Sequence, residues 1–113
     1  MTILDITTRE RDDGGIQLDL TGELDLATAP KLDDELRHIE ENGPALIVID
    51  LSPLSFMDSS GLRALLAADS RAREAGRRLV LVRGDERVQR VLKITRLDER
   101  LEIVDDAETL AGA

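Results

Sequence analysis

The chain has no cysteine, no tryptophan, no tyrosine and a single histidine, His38. Without thiols there is neither a disulfide framework nor thiolate chemistry, and one imidazole cannot build a multi-histidine metal site. Phe56 is the only aromatic residue. The stacking platforms that hold single-stranded nucleic acid are therefore missing, and the core falls to Leu, Ile, Val and Ala. Positive charge is scarce as well: 15 basic against 24 acidic residues leave a net charge of −9, a field that repels phosphate backbones and anionic lipid surfaces. No apolar run reaches the length of a membrane span, and the first residues have neither the basic region nor the apolar core of a secretory leader. These absences point to a cytoplasmic protein that binds no nucleic acid, spans no membrane and needs no metal or other cofactor.

A length of 113 residues fits one domain, 1–113, with little room for a second, and 42% hydrophobic with 35% charged residues is a globular rather than a disordered balance. From Thr2 to Arg9, Leu4 and Ile6 alternate with Asp5 and Thr7, the period of a half-buried strand. Asp12-Asp13-Gly14-Gly15 supplies turn chemistry, and Ile16, Leu18 and Leu20 then alternate with Gln17, Asp19 and Thr21. An antiparallel pair follows from that order. Gly22 to Ala27 reads as a loop before a helix with Pro30 in its first turn, whose apolar stripe is Leu32, Leu36 and Ile39 and which Asn42-Gly43-Pro44 ends. His38 beside this stripe has no partner nearby in sequence and reads as a surface residue.

The continuously apolar run Ala45-Leu46-Ile47-Val48-Ile49 suits a central strand covered on both faces. A second helix is predicted from about Ser59 to Ala75, with Leu62, Leu65 and Leu66 facing inward and Gly76 ending it. Asp69 falls on the same meridian as Leu62 and Leu66, and Arg73, four residues later, is in the order that favours an ion pair. Arg77 to Arg83 is another strand, joined to the previous one by a parallel crossover. Asp85 can cap a helix carrying Val88, Val91 and Leu92; Leu101 to Val104 adds a fifth strand, and Asp105 and Asp106 can cap a short last helix.

Between strand Leu46–Asp50 and the second helix lies Leu51-Ser52-Pro53-Leu54-Ser55-Phe56-Met57, a linker, and then Asp58-Ser59-Ser60-Gly61-Leu62. Asp58 or Ser59 is a natural N-cap, so two adjacent hydroxyls stand at a helix start. With Leu20-Thr21-Gly22-Glu23-Leu24-Asp25 upstream, this arrangement resembles the STAS domain, and within it the anti-sigma factor antagonist branch. The resemblance implies an α/β fold with a mixed four- to five-stranded sheet, an antiparallel N-terminal strand, and about four helices packed mainly on one side.

It further implies that Ser59 is the phospho-acceptor of an anti-sigma factor that is also a serine kinase, that a metal-dependent serine phosphatase reverses the modification, and that the unmodified form binds the kinase and frees its sigma factor. Asp25, Asp58, Ser59, Ser60, Gly61 and Arg63 carry over as partner-binding positions. Asp25 either meets the partner or stiffens a turn; Asp58 either aids recognition or caps the helix, and the two roles are compatible. Ser60 reads as structural, and Arg63 stands where the branch often has a small residue. A STAS subunit of a transport or stress-signalling assembly, with Ser59 never modified, is the alternative. Catalysis has less support: G-x-S-x-G is absent, the sole imidazole is on another helix, and no phosphate-binding glycine loop occurs.

Overall fold

A computed structural model describes residues 3–110 of the chain. In order, they form β1 (Leu4–Glu10), β2 (Ile16–Leu24), α1 (Ala29–Glu40), β3 (Leu46–Asp50), β4 (Leu54–Met57), α2 (Ser59–Glu74), β5 (Arg78–Val82), α3 (Glu86–Ile94) and β6 (Glu102–Val104), with 3-10 turns at Leu97–Glu99 and Ala107–Leu110. The sheet order is β1-β2-β3-β5-β6, and β4 pairs with β2 beyond the end of β3. Among the described residues only β1 runs antiparallel to its neighbour; the other pairs are parallel. The helices that follow β2, β4 and β5 therefore all start at one end of the sheet, the end that carries Ser59.

Alternation along the strands assigns the two faces. Leu18 and Leu20 of β2, Ile47 and Ile49 of β3, and Leu79 and Leu81 of β5 join one cluster with Leu32, Leu36 and Ile39 of α1, Leu62, Leu65, Ala68 and Ala72 of α2, and Val88 and Leu92 of α3. All three helices thus cover the same face, as amphipathic stripes of this width require. The residues of opposite parity, Val48, Val80 and Val82, are also buried, under Leu110 of the last 3-10 turn. This is why β3 and β5 read as continuously apolar.

Four expectations change. The stretch before the motif is a linker only as far as Pro53, since Leu54–Met57 forms β4. The supposed loop from Gly22 begins three residues late, because Gly22, Glu23 and Leu24 continue β2 to pair with Leu54, Phe56 and Met57. Gly22 also pairs with Leu4 of β1, and the rest of the extension gains its strand structure from β4, a distant segment, so neither short piece carries a local signal. The sheet accordingly has six strands rather than four or five among the described residues. The fourth helix is a 3-10 turn: Asp106 accepts from the Glu108 amide at 2.8 Å, as a cap does, but one turn follows. Of the first strand, Thr2 lies outside the described residues; Leu4 to Arg9 is strand as predicted.

Gly22 is fixed by a close approach. Its φ is +111°, and a Cβ there would lie 2.3 Å from the Ile3 carbonyl oxygen, which accepts from the Glu23 amide at 2.9 Å. A side chain cannot share that space.

Candidate functional site

Asp58 is the N-cap of α2. Its backbone is extended, and its Oδ1 accepts from the amides of Ser60 at 2.8 Å and Gly61 at 3.2 Å. That bonding turns the carboxylate toward the helix, and Ser59, the first helical residue, is left exposed with its hydroxyl free of hydrogen bonds among the described residues. Ser60 is half-buried and Gly61 is buried. A Cβ at Gly61 would meet Leu24 Cγ at 2.6 Å, so the bare backbone at this position lets α2 start directly against the end of β2.

The same end of β2 holds Asp25 beside the motif. Leu24 and Met57 are register partners, and the Leu24 carbonyl accepts from the Asp58 amide at 3.1 Å. Asp25 and Asp58 are therefore the next residues on two adjoining chains. Asp25 Oδ1 accepts from the amides of Ala27 at 3.0 Å and Thr28 at 3.1 Å, and the Asp25 amide donates to Thr28 Oγ1 at 2.9 Å. Thr28 Oγ1 in turn donates to the Glu23 carbonyl at 2.8 Å. The turn-stiffening role of Asp25 is thus present in the geometry, and it fixes the loop that leads into α1.

Two residues at this end of the sheet were not singled out by the sequence. Leu26 is 77% exposed in that stiffened loop, and Phe56, on β4 opposite Glu23, is 44% exposed. These large apolar side chains are left in water on the two segments that adjoin at the motif, one after β2 and one on β4. Phe56 had a signal: it is the sole aromatic residue and stands just ahead of the motif. Leu26 had only its place outside any apolar period. Arg63, one turn into α2, is exposed, and its side chain has no hydrogen bond or ion pair among the described residues.

The STAS domain profile matches residues 5–110. The chain belongs to the STAS domain family, on its anti-sigma factor antagonist branch. It is 34% identical over 100 residues to an anti-sigma-B factor antagonist of Listeria monocytogenes, covering 88% of each chain, and 31% identical over 105 residues to one of Bacillus subtilis, covering 93% of each. An anti-sigma factor antagonist of Mycobacterium paratuberculosis superimposes with a TM-score of 0.86 at 25% identity, over 96% of this chain and 92% of that one.

In this STAS domain the six motif positions named from the sequence separate by depth. Ser59 and Arg63 face solvent, Asp25, Asp58 and Ser60 are half-buried, and Gly61 lies beneath them. His38 is exposed in the last turn of α1, with Nδ1 3.8 Å from the Glu41 carboxylate. That places it nine residues, or roughly 14 Å, along the helix from the end that adjoins Ser59. Among the described residues no helix is long and apolar enough to cross a membrane.

Proposed function

We propose that this STAS domain is an anti-sigma factor antagonist switched by phosphorylation of Ser59. The unmodified protein binds an anti-sigma factor that is also a serine kinase, displacing its sigma factor. Phosphorylation of Ser59 by that kinase ends the interaction, and a metal-dependent serine phosphatase restores it, all in the cytoplasm. The observation that carries this reading is the Ser59 hydroxyl, exposed and unbonded among the described residues, on a backbone that Asp58 and Leu24 fix. The relatives' name, anti-sigma-B factor antagonist, supplies the partner.

Physical chemistry favours an interface switch over a fold switch. A phosphoryl group adds about −1.5 to −2 charge. At an exposed helix start this is tolerated, since the macrodipole favours an anion by roughly 0.3–1 kcal/mol. Under a docked partner the same group lies beside Asp58 in a drying contact. One opposing carboxylate at about 4 Å would then cost on the order of 4 kcal/mol at an effective dielectric near 20, or several powers of ten in affinity. Asp25, Asp58, Ser60 and Arg63 frame the docking face around Ser59, and Gly61 serves it from below by admitting Leu24. With no imidazole or other base hydrogen bonded to Ser59 among the described residues, binding rather than catalysis is the role we assign.

Calorimetric titration of the cognate anti-sigma factor tests this. Ser59→Ala is expected to bind as the unmodified protein does, and Ser59→Asp about a hundredfold more weakly or worse. Equal affinities of the two variants would end the reading.

A further inference from the structure

An anion placed on Ser59 finds two of the amide donors of this helix start already taken. Asp58 Oδ1 already accepts from the Ser60 and Gly61 amides, at 2.8 and 3.2 Å. Beyond the Ser59 amide itself, what the dipole draws in must find its hydrogen bonds elsewhere. The sequence places one cation in reach: Arg63 lies four residues after Ser59, and side chains at that spacing are neighbours on a helix, about 5–6 Å apart at Cβ, with the acidic member first in the favoured order. Arg63 is also uncommitted. Arg71 and Arg73 on the same helix hold Glu40 and Asp69 at 2.7 and 2.8 Å, whereas the Arg63 side chain is exposed and without a partner among the described residues.

We propose that Arg63 is an intramolecular clamp for the phosphoryl group of phospho-Ser59. Its guanidinium presents a fork of N–H donors that matches two phosphate oxygens, and ordering one exposed side chain is all that closure requires. The clamp gives the switch a second component. In the unmodified protein Arg63 is free to meet a partner's carboxylate; after modification it turns back to the phosphate, so the docking face gains a negative charge and loses its positive one in the same event. One positive charge offsets about half of the −1.5 to −2 that the phosphoryl group adds, so the monomer feels a smaller local excess of negative charge.

This inference rests on the Ser59 reading for its occasion but is tested apart from it, with phosphoserine installed at position 59 of the full chain during synthesis. Phosphorus NMR then follows the second ionisation of the phosphate in the Arg63, Arg63→Gln and Arg63→Lys proteins. The clamp favours the dianion, so the native protein is expected to ionise about 0.3 pH units lower than Arg63→Gln, with Arg63→Lys, which keeps the charge but not the fork, restoring only part of the shift and about 1 M salt erasing it. Titration curves of native and Arg63→Gln that coincide within about 0.1 unit would overturn the proposal. Equal thermal midpoints of the two unmodified proteins establish that Arg63→Gln leaves the fold intact. No kinase takes part, so the result is independent of whether Ser59 is modified in cells, which the partner titration with Ser59→Ala and Ser59→Asp addresses.

Discussion

Leu24 holds the start of α2 twice: its carbonyl accepts from the Asp58 amide at 3.1 Å, and its side chain fills the space where a Cβ of Gly61 would stand, 2.6 Å from Cγ. Leu24 is fully buried, and its carbonyl oxygen, 3.0 Å from the same Cβ position, is backbone that cannot swing aside. Gly61→Ala should gain about 1 kcal/mol of helix propensity and lose more to overpacking, leaving a net destabilisation of roughly 1–2 kcal/mol. In a Leu24→Ala background much of the overlap is gone. The cost of Gly61→Ala should then shrink by at least about 0.5 kcal/mol, read as a double-mutant cycle in urea. Additive costs would refute the contact.

Capping and charge at Asp58 are separable. Asparagine caps nearly as well as aspartate, so Asp58→Asn should unfold within about 0.5 kcal/mol of the native protein, whereas Asp58→Ala should lose roughly 1 kcal/mol. Any larger effect of Asp58→Asn on affinity for the anti-sigma factor than on stability would belong to recognition. If Asp58→Ala is as stable as the native protein, the two amide contacts to Oδ1 contribute nothing.

Much of this arrangement was legible in the residues. The parity of Leu18 and Leu20, the unbroken run of β3, and the stripes of α1 and α2 each report a local period set by one buried face. Asp69 also showed itself by position, and its pairing with Arg73 at 2.8 Å follows from spacing alone. What stayed hidden depends on segments far apart in the chain. Asp69 also meets Arg100, at 3.7 Å, and Arg73 donates to the Arg100 carbonyl at 2.8 Å, fastening α2 to the segment before β6. Gln17, on the polar parity of β2, is 1% exposed because Arg11 donates to its Oε1 at 2.6 Å and reaches across to the Ala107 carbonyl at 3.0 Å. At the site, the motif announced Ser59 and its cap, but the exposure of Leu26 follows from the Asp25 turn, a three-dimensional fact.

Two carboxylates set an acid limit on stability. Glu102 is held below its ordinary range by hydrogen bonds from the Arg78 guanidinium, one of them 2.9 Å from Nε, and Asp13 by the Gly15 amide at 3.0 Å and then by Arg11. A depressed carboxylate binds fewer protons folded than unfolded, so its contribution is complete above the ordinary carboxylate range, about pH 4, and is lost as pH falls through the folded value. Thermal unfolding between pH 6 and 3 should show the midpoint falling with acid. Glu102→Gln should flatten part of that slope, by less than about 1 kcal/mol because both partners are half-exposed and screened. An unchanged slope in Glu102→Gln would show that the pair does not couple to folding.

The exposed apolar pair separates docking from folding most directly. Leu26 at 77% exposure contributes little to the core, so Leu26→Ser should change stability by no more than about 0.5 kcal/mol. Phe56 keeps part of its ring covered at 44% exposure, and Phe56→Ala should cost about 1 kcal/mol. Side chains of this kind become anchors when a partner excludes water from around them, and each truncation is then expected to weaken the anti-sigma factor complex about ten- to thirtyfold, mainly through faster dissociation. Neither change adds charge, so the loss should persist at high salt, unlike the effect of Ser59→Asp, which should diminish there. If both truncated proteins bind as the native one does, Leu26 and Phe56 lie outside the interface.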